Sequence, residues 1–370
     1  NQKRRVGSLH RPPRLTNGSS ACRMRLLEKS ERSNVYFILI MGFHNVTPIP
    51  ILFALYPSFI AFIGLLFFHI PHGHCEMLDH DGFINALEVN QNGKVLVSGS
   101  WDTTIRVWDI PTHAPLLVLD GHLMSVNAIS LSPGGSLLAS ASWDHSIYLW
   151  DFKTGRKITE LIGHKDAVYG VDFSPDGQSL VSASWDYTLK QWDIKTQQPF
   201  HTLKGHSANV MSVEYDPLGK TILSASYDRT IRLWDAETGN IIRVLRGHTH
   251  SVNDISYLGE TRKALSASTD QTVRLWNLDT GAEIERLSEH SSFVTSLASN
   301  TNGTHSISGD GDGHLVLWDL ENYDVKLKIK AHAGPIWAVA LSPDANAAFS
   351  AGSDQIIRQW NLLTGEAISP

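Results

Sequence analysis

The sequence predicts an all-β fold assembled from seven copies of one small antiparallel sheet, preceded by a basic segment and one apolar span. Three observations predict it. Four residue types return together every 42 positions after residue 73. Inside each unit, short runs rich in β-branched residues alternate with turn-forming Gly, Pro, Asp and Asn. Ahead of the repeats, residues 35–70 contain no Asp, Glu, Lys or Arg. With 370 residues, 42% of them apolar, the chain can bury a large core, and wholesale disorder is excluded.

Residues 1–34 hold nine Lys and Arg against two Glu, a balance of +7 in a chain of net charge −6. This segment reads as a basic, disordered arm. The difference leaves −13 for everything after Asn34, which argues against binding a phosphate backbone, so no nucleic-acid partner is expected. Residues 35–70 read as a hydrophobic segment whose densest part, 51–70, would span about 30 Å as a helix, the thickness of a bilayer core. The basic flank orients it as a signal anchor, a single transmembrane helix with the repeats on the extracytoplasmic side. A cleaved signal peptide and a non-native leader are the alternatives, the last leaving the repeats cytoplasmic. His69, His72, His74 and Cys75 form a His-rich tract. It is not taken as a metal site, because adjacent strand residues such as His74 and Cys75 point to opposite faces. Cys22 and Cys75 are the only cysteines, too few for a disulfide framework or an iron–sulfur cluster, and no cofactor is expected.

From residue 71 to 370 the repeats run without insertion or deletion. His recurs at His80, His122, His164, His206, His248, His290 and His332. Ser recurs at Ser98, Ser140, Ser182, Ser224, Ser266, Ser308 and Ser350. Asp recurs at Asp102, Asp144, Asp186, Asp228, Asp270, Asp312 and Asp354. Trp recurs at Trp108, Trp150, Trp192, Trp234, Trp276, Trp318 and Trp360. The third unit is typical: strands are predicted at 168–173, 179–184, 188–193 and about 199–203, with a Ser-Pro-Asp-Gly turn at 174–177. Four residues after each His stands Ile84, Val126, Val168, Val210, Val252, Val294 or Ile336, all β-branched, as a buried inner strand prefers.

This pattern resembles the WD-repeat β-propeller family. Gly-His opens repeats two to five, and Trp-Asp closes every repeat except five and seven, where Asn277 and Asn361 replace the Asp. The resemblance covers about residues 73–370. It implies a seven-bladed β-propeller of four-stranded antiparallel blades, expected to be monomeric, in which each His, Ser, Asp and Trp quartet forms a hydrogen-bonded chain. The chemistry agrees, since a buried indole N–H and a buried carboxylate both need partners that a hydroxyl and an imidazole can relay. Asp, His and Ser also spell a hydrolase triad, but seven equivalent copies cannot all be catalytic clefts. The last unit supplies three strands, and residues 74–78 align with the fourth-strand position, so they are expected to close the ring. The run from Asp310 to His314 is like a fragment of a calcium loop and reads as a turn, with Asp312 held in its quartet.

Phosphate loops, metalloprotease helices and nucleophile elbows are missing from the sequence. Trp101, Trp143 and Trp185 share one repeat position, immediately before the quartet Asp, and Tyr227 fills it in the fourth repeat. The resemblance places that loop on the narrow top face. Positions three and five after each His open there too, bringing Phe83, Tyr169, Met211, Phe293 and Trp337 alongside Asn85, Asn127, Asn209, Asn253 and Thr295. The rings form an aromatic crescent over repeats seven, one, two, three and four, with a polar gap at repeat five. Such a gathering has the composition of a binding hot spot, so the reading is a non-enzymatic platform that binds a protein or peptide. A basic partner is favoured by the acidic domain and by cation–π surfaces. In the plainer alternative the rings only cover neighbouring loops. Two other classes stay open: a sensing or docking module of a longer protein with an effector beyond residue 370, and an enzyme with its site at the central channel.

Overall fold

Each 42-residue unit folds as its turn chemistry dictates. The computed structural model describes residues 80–368, together with the strand pairing of residues 25–31, 34–40 and 51–52. The third blade runs Val168–Phe173, Ser179–Ser184, Thr188–Asp193 and Gln198–Lys204, antiparallel and in sequence order. The predicted strands agree, the fourth being one residue longer at each end. The first three hairpin partners of every blade follow the same order, and six blades have four strands. The inner strand of each blade carries a bulge after its first residue, as between Val168 and Gly170. A bulge sharpens the local twist, which a blade requires.

The turn between second and third strands holds a left-handed residue in every repeat: Thr103, His145, Tyr187, Arg229, Gln271, Gly313 and Gln355, with φ from 68° to 81°. Only one is glycine, so the backbone needs local support. The quartet Asp supplies it. Its Oδ1 accepts the N–H two residues on, from Thr104, Ser146, Thr188, Thr230 and Thr272, at 2.9–3.2 Å.

Apolar faces of adjacent blades interleave to make the core. Leu223, Leu233 and Leu245 of blade four meet Val252, Ile255 and Tyr257 of blade five. Ile84, Leu96 and Trp108 of blade one pack with Ala340, Phe349 and Ile357 of blade seven, which completes the ring. The seven β-branched inner positions from Ile84 to Ile336 are all fully buried. Among the described residues blade seven has three strands, Ile336–Leu341, Ala347–Gly352 and Ile357–Asn361. Ala367 forms a single antiparallel bridge to Trp360, and the Ile368 N–H donates to the Gln359 carbonyl at 2.8 Å. The closing strand expected at 74–78 lies outside the described residues, as do the His-rich tract and residues 53–70 of the expected span. Ile51–Leu52, at its start, are a strand paired with Ile38 and Leu39 rather than helix. Among the described residues no helix is long and apolar enough to cross a membrane, so the transmembrane expectation gains no support. The N-terminal unit contains Arg25–Glu31, Asn34–Ile40 and Ile51–Leu52 as one antiparallel sheet.

The quartets form as expected, with one correction. His Nδ1 lies 2.7–2.9 Å from an Asp oxygen in every blade. The Ser hydroxyl lies 2.6–2.8 Å from His Nε2. The Trp indole N–H donates to the same Ser oxygen at 2.8–3.0 Å. One proton arrangement satisfies all four groups: indole N–H to Ser, Ser O–H to Nε2, Nδ1–H to carboxylate. In repeat six the carboxylate comes from Asp310, not Asp312. Elsewhere the strand-end residue is usually a Ser whose hydroxyl accepts the turn Asp N–H, as in Ser184 and Asp186. Here that residue is itself an Asp. It reaches His290 from the strand end and accepts the N–H groups of Asp312 and His314, leaving Asp312 exposed at the turn.

Candidate functional site

The inner strands begin at the quartet His loops, so their first residues and the turns between second and third strands share one face. At its centre the structure has a funnel of about 710 Å³. Phe83, Trp101, Tyr169, Trp185, Met211, Tyr227, Phe293 and Trp337 line it, eight of the nine residues read as partner-binding. The ninth, Trp143, stands behind the lining as a wedge. Its ring lies 6.2 Å from Trp101, 5.4 Å from Trp185 and 6.4 Å from Tyr169, and its Nε1–H donates to the Tyr169 hydroxyl at 3.0 Å.

The crescent resolves into two arcs. One joins Phe83 to Trp101 at 5.4 Å, then Trp143, then Trp185, which stacks on Tyr169 at 4.8 Å with planes 8° apart. The other is Phe293 with Trp337 at 6.4 Å. Trp101 is 52% exposed, Tyr227 44% and Trp337 36%, so apolar ring surface faces solvent on a stiff frame. The Trp185 indole N–H has no partner among the described residues. At the polar gap Thr269 is engaged with Ser251 and Asn253.

Four of the five polar residues beside the rings are joints between blades. Asn85, Asn127 and Asn253 donate to the carbonyls of Val126, Val168 and Val294, and Thr295 donates to Ile336, each 41 residues on. Deeper in the channel a second belt runs 43 residues on. Glu88 accepts the Leu131 N–H, Ser130 that of Phe173, Asp172 that of Tyr215, Glu214 that of Tyr257, Asp254 that of Leu297 and Ser296 that of Val339. Gly170 makes room for this, since a Cβ there would meet the blade-four backbone at 3.1 Å.

Sequence reasoning passed over these carboxylates. Their signal was a charge in an otherwise apolar inner strand, at the eighth position after His in Glu88, Asp172 and Glu214. Burial pushes Glu88 up to about 8, Asp172 up to about 7 and Asp254 up to about 6. Glu214, enclosed beside Asp172 and Asp254, is raised well above the carboxylate range by burial and then by their charges. Among the described residues no group of three or more His, Cys, Asp or Glu is arranged to hold a metal ion.

The quartets invite a test as triads, because Ser–His and His–Asp separations match catalytic ones. All seven Ser side chains are fully buried and accept an indole N–H, so no substrate carbonyl can reach them. In the quartets burial would raise the Asp carboxyls. Hydrogen bonds from the ring, the turn hydroxyl and the backbone outweigh it and hold Asp102, Asp144, Asp186, Asp228 and Asp270 well below the usual range. Burial lowers His164, His206 and His248, so the imidazoles are neutral donors through Nδ1.

Comparison with known proteins gives a consistent picture. Residues 168–369 match the family model described as the IFT122 first beta-propeller, and residues 73–109 and 113–151 match the WD domain, G-beta repeat. Periodic tryptophan protein 2 homolog of Schizosaccharomyces pombe is 52% identical over 31 residues, which cover 8% of this chain and 4% of that protein.

Proposed function

Proceeding from the chain's membership of the WD-repeat propellers, in the family of the IFT122 first beta-propeller, we propose that it is a non-enzymatic platform holding a segment of another protein over the aromatic mouth of its channel. WD-repeat propellers are in general scaffolds for protein interaction. The observation that carries the finer reading is the continuous arc of five rings from Phe83 to Trp185. Loop packing accounts for the Trp143 wedge, but it leaves Trp101 half exposed to solvent. Exposed aromatics on a stiff frame lose little entropy on binding. A partner presenting Arg or Lys suits the surface, because ring faces attract cations and the segment after Asn34 carries −13.

The test separates lining from wedge. A pull-down with the 370-residue chain identifies a partner, and titration calorimetry then compares variants. Trp185→Ala and Trp337→Ala are expected to weaken it by ~2 kcal/mol or more at nearly unchanged melting temperature. Trp143→Ala is expected to lower both stability and affinity, and Thr269→Ala to leave affinity nearly unchanged. Lining variants that bind like the parent would reduce the arc to packing.

A further inference from the structure

The opposite face carries an anomaly of its own, independent of the aromatic mouth. Between blades three and four the structure has a cleft of about 500 Å³. Its walls come from the turns at 174–177 and 216–219, from Gln191 and Phe200 of blade three, and from Glu237. Two residues there break the pattern of the other repeats, in opposite senses.

Leu218 sits at a turn tip and is 53% exposed. The same place holds Asn92, Gly134, Asp176, Glu260, Asn302 and Asp344, so the turn itself has no use for a leucine. Gln191 breaks the rule inward. It is 1% exposed where five repeats bury Val107, Leu149, Leu233, Leu275 and Leu317. Its Nε2 donates to the Tyr215 hydroxyl and the Ala236 carbonyl, while its Oε1 has no partner among the described residues. The one other glutamine at this place, Gln359, has its Oε1 2.9 Å from His113 Nε2. An apolar side chain turned out and an unsatisfied acceptor turned in are each unfavourable for an isolated fold. Both line one cleft.

Phe200, 48% exposed, faces the same space. Among the described residues the charged lining is Asp176 and Glu237, with no Lys, Arg or His. Hydrogen bonds from the Ser174 hydroxyl and the Gln178 N–H hold Asp176 below the ordinary range, so it is ionised. Gly219, at φ 70°, lets the blade-four turn lie against Pro175, which keeps the cleft walls together. We infer that this cleft docks a partner-protein segment presenting an apolar side chain next to Arg or Lys. The apolar group fills the space between Phe200 and Leu218, and the cation meets Asp176 and Glu237. The size suits one or two side chains, which is the scale of a weak, exchangeable contact.

The probe is a phage-displayed random dodecapeptide library panned on the 370-residue chain, with parallel panning on Leu218→Asp. Asp occupies this turn place in two other repeats, so the variant is expected to melt like the parent. Phe200→Lys, the residue found at Lys326, is the second variant. Peptides enriched on the parent alone are expected to share an apolar residue beside Arg or Lys. A synthetic representative, followed by fluorescence anisotropy, is expected to bind at least tenfold more weakly to Leu218→Asp, Phe200→Lys and Glu237→Lys. It should bind Trp185→Ala unchanged. Gln191→Leu should weaken binding while raising the melting temperature. Equal recovery on parent and Leu218→Asp, acidic consensus peptides, or loss of binding in Trp185→Ala would each overturn the assignment, the last by moving the peptides to the channel mouth.

Discussion

The quartets, present in all seven blades, and the channel belt, bonded across six of the blade junctions, are both made of hydrogen bonds, yet they are written differently in the chain. The quartets repeat residue type: four side chains meet one another, so every group needs a partner of fixed chemistry. The belt repeats only spacing. Glu, Asp and Ser alternate as acceptors across 43 residues, because the partner is a backbone N–H that donates to any oxygen reaching it. Repeated identity marks a side-chain network, and repeated spacing marks a side chain bound to backbone. The two also titrate in opposite senses. Quartet carboxyls are held low and channel carboxyls are pushed up.

The largest expected effect tests which carboxylate serves repeat six. Asp310→Ala should destabilise by ~3 kcal/mol in urea unfolding, because it strands a buried imidazole and two turn N–H groups. Asp312→Ala should stay within ~0.5 kcal/mol, and Asp186→Ala should match Asp310→Ala. If Asp312→Ala were the costly change, the strand-end assignment would fall.

pH sharpens the comparison. Quartet Asp residues lie below their unfolded value of about 4, so their stabilisation is present above it and drains away as acid titrates the native carboxyls. The lowered imidazoles act in the same direction below about pH 6.5. Channel acids lie above their unfolded values, so their contribution is full below about 4 and is lost as pH rises through the native values. With Glu88 near 8 and Asp172 near 7, the melting temperature should fall by ~5 °C between pH 6 and 9, as read by circular dichroism. A flat profile would mean that the channel acids ionise freely.

The smallest effect separates acceptor from charge. Glu88→Gln keeps an oxygen for the Leu131 N–H and should stay within ~0.5 kcal/mol at pH 6, while flattening the fall above pH 7. Glu88→Ala removes the acceptor and should cost ~1 kcal/mol. Equal losses would show that charge, not the staple, governs the belt.

The blade pattern was legible because turns and strands are local. A Ser-Pro-Asp-Gly turn and a β-branched run announce themselves over a few residues, and seven copies remove the ambiguity of one. The aromatic mouth was legible for the same reason, since Trp101, Trp143 and Trp185 share a repeat position. Their division into lining and wedge was not legible, because it depends on which neighbour each ring meets.

By itself the sequence determined the seven-bladed all-β architecture and six of seven quartets, since those follow from short-range chemistry repeated in register. Tertiary structure decided the rest. It chose Asp310 over Asp312, because reach to His290 depends on where a strand ends in space. It joined Asn85, Asp172 and their counterparts to the next blade, because those bonds cross 41 or 43 residues and exist only once inner strands stand side by side. It also set Leu218 and Gln191 around one cleft, although 27 residues separate them along the chain. Contacts between blades are fixed by the curvature of the ring, and no local window of sequence contains that curvature.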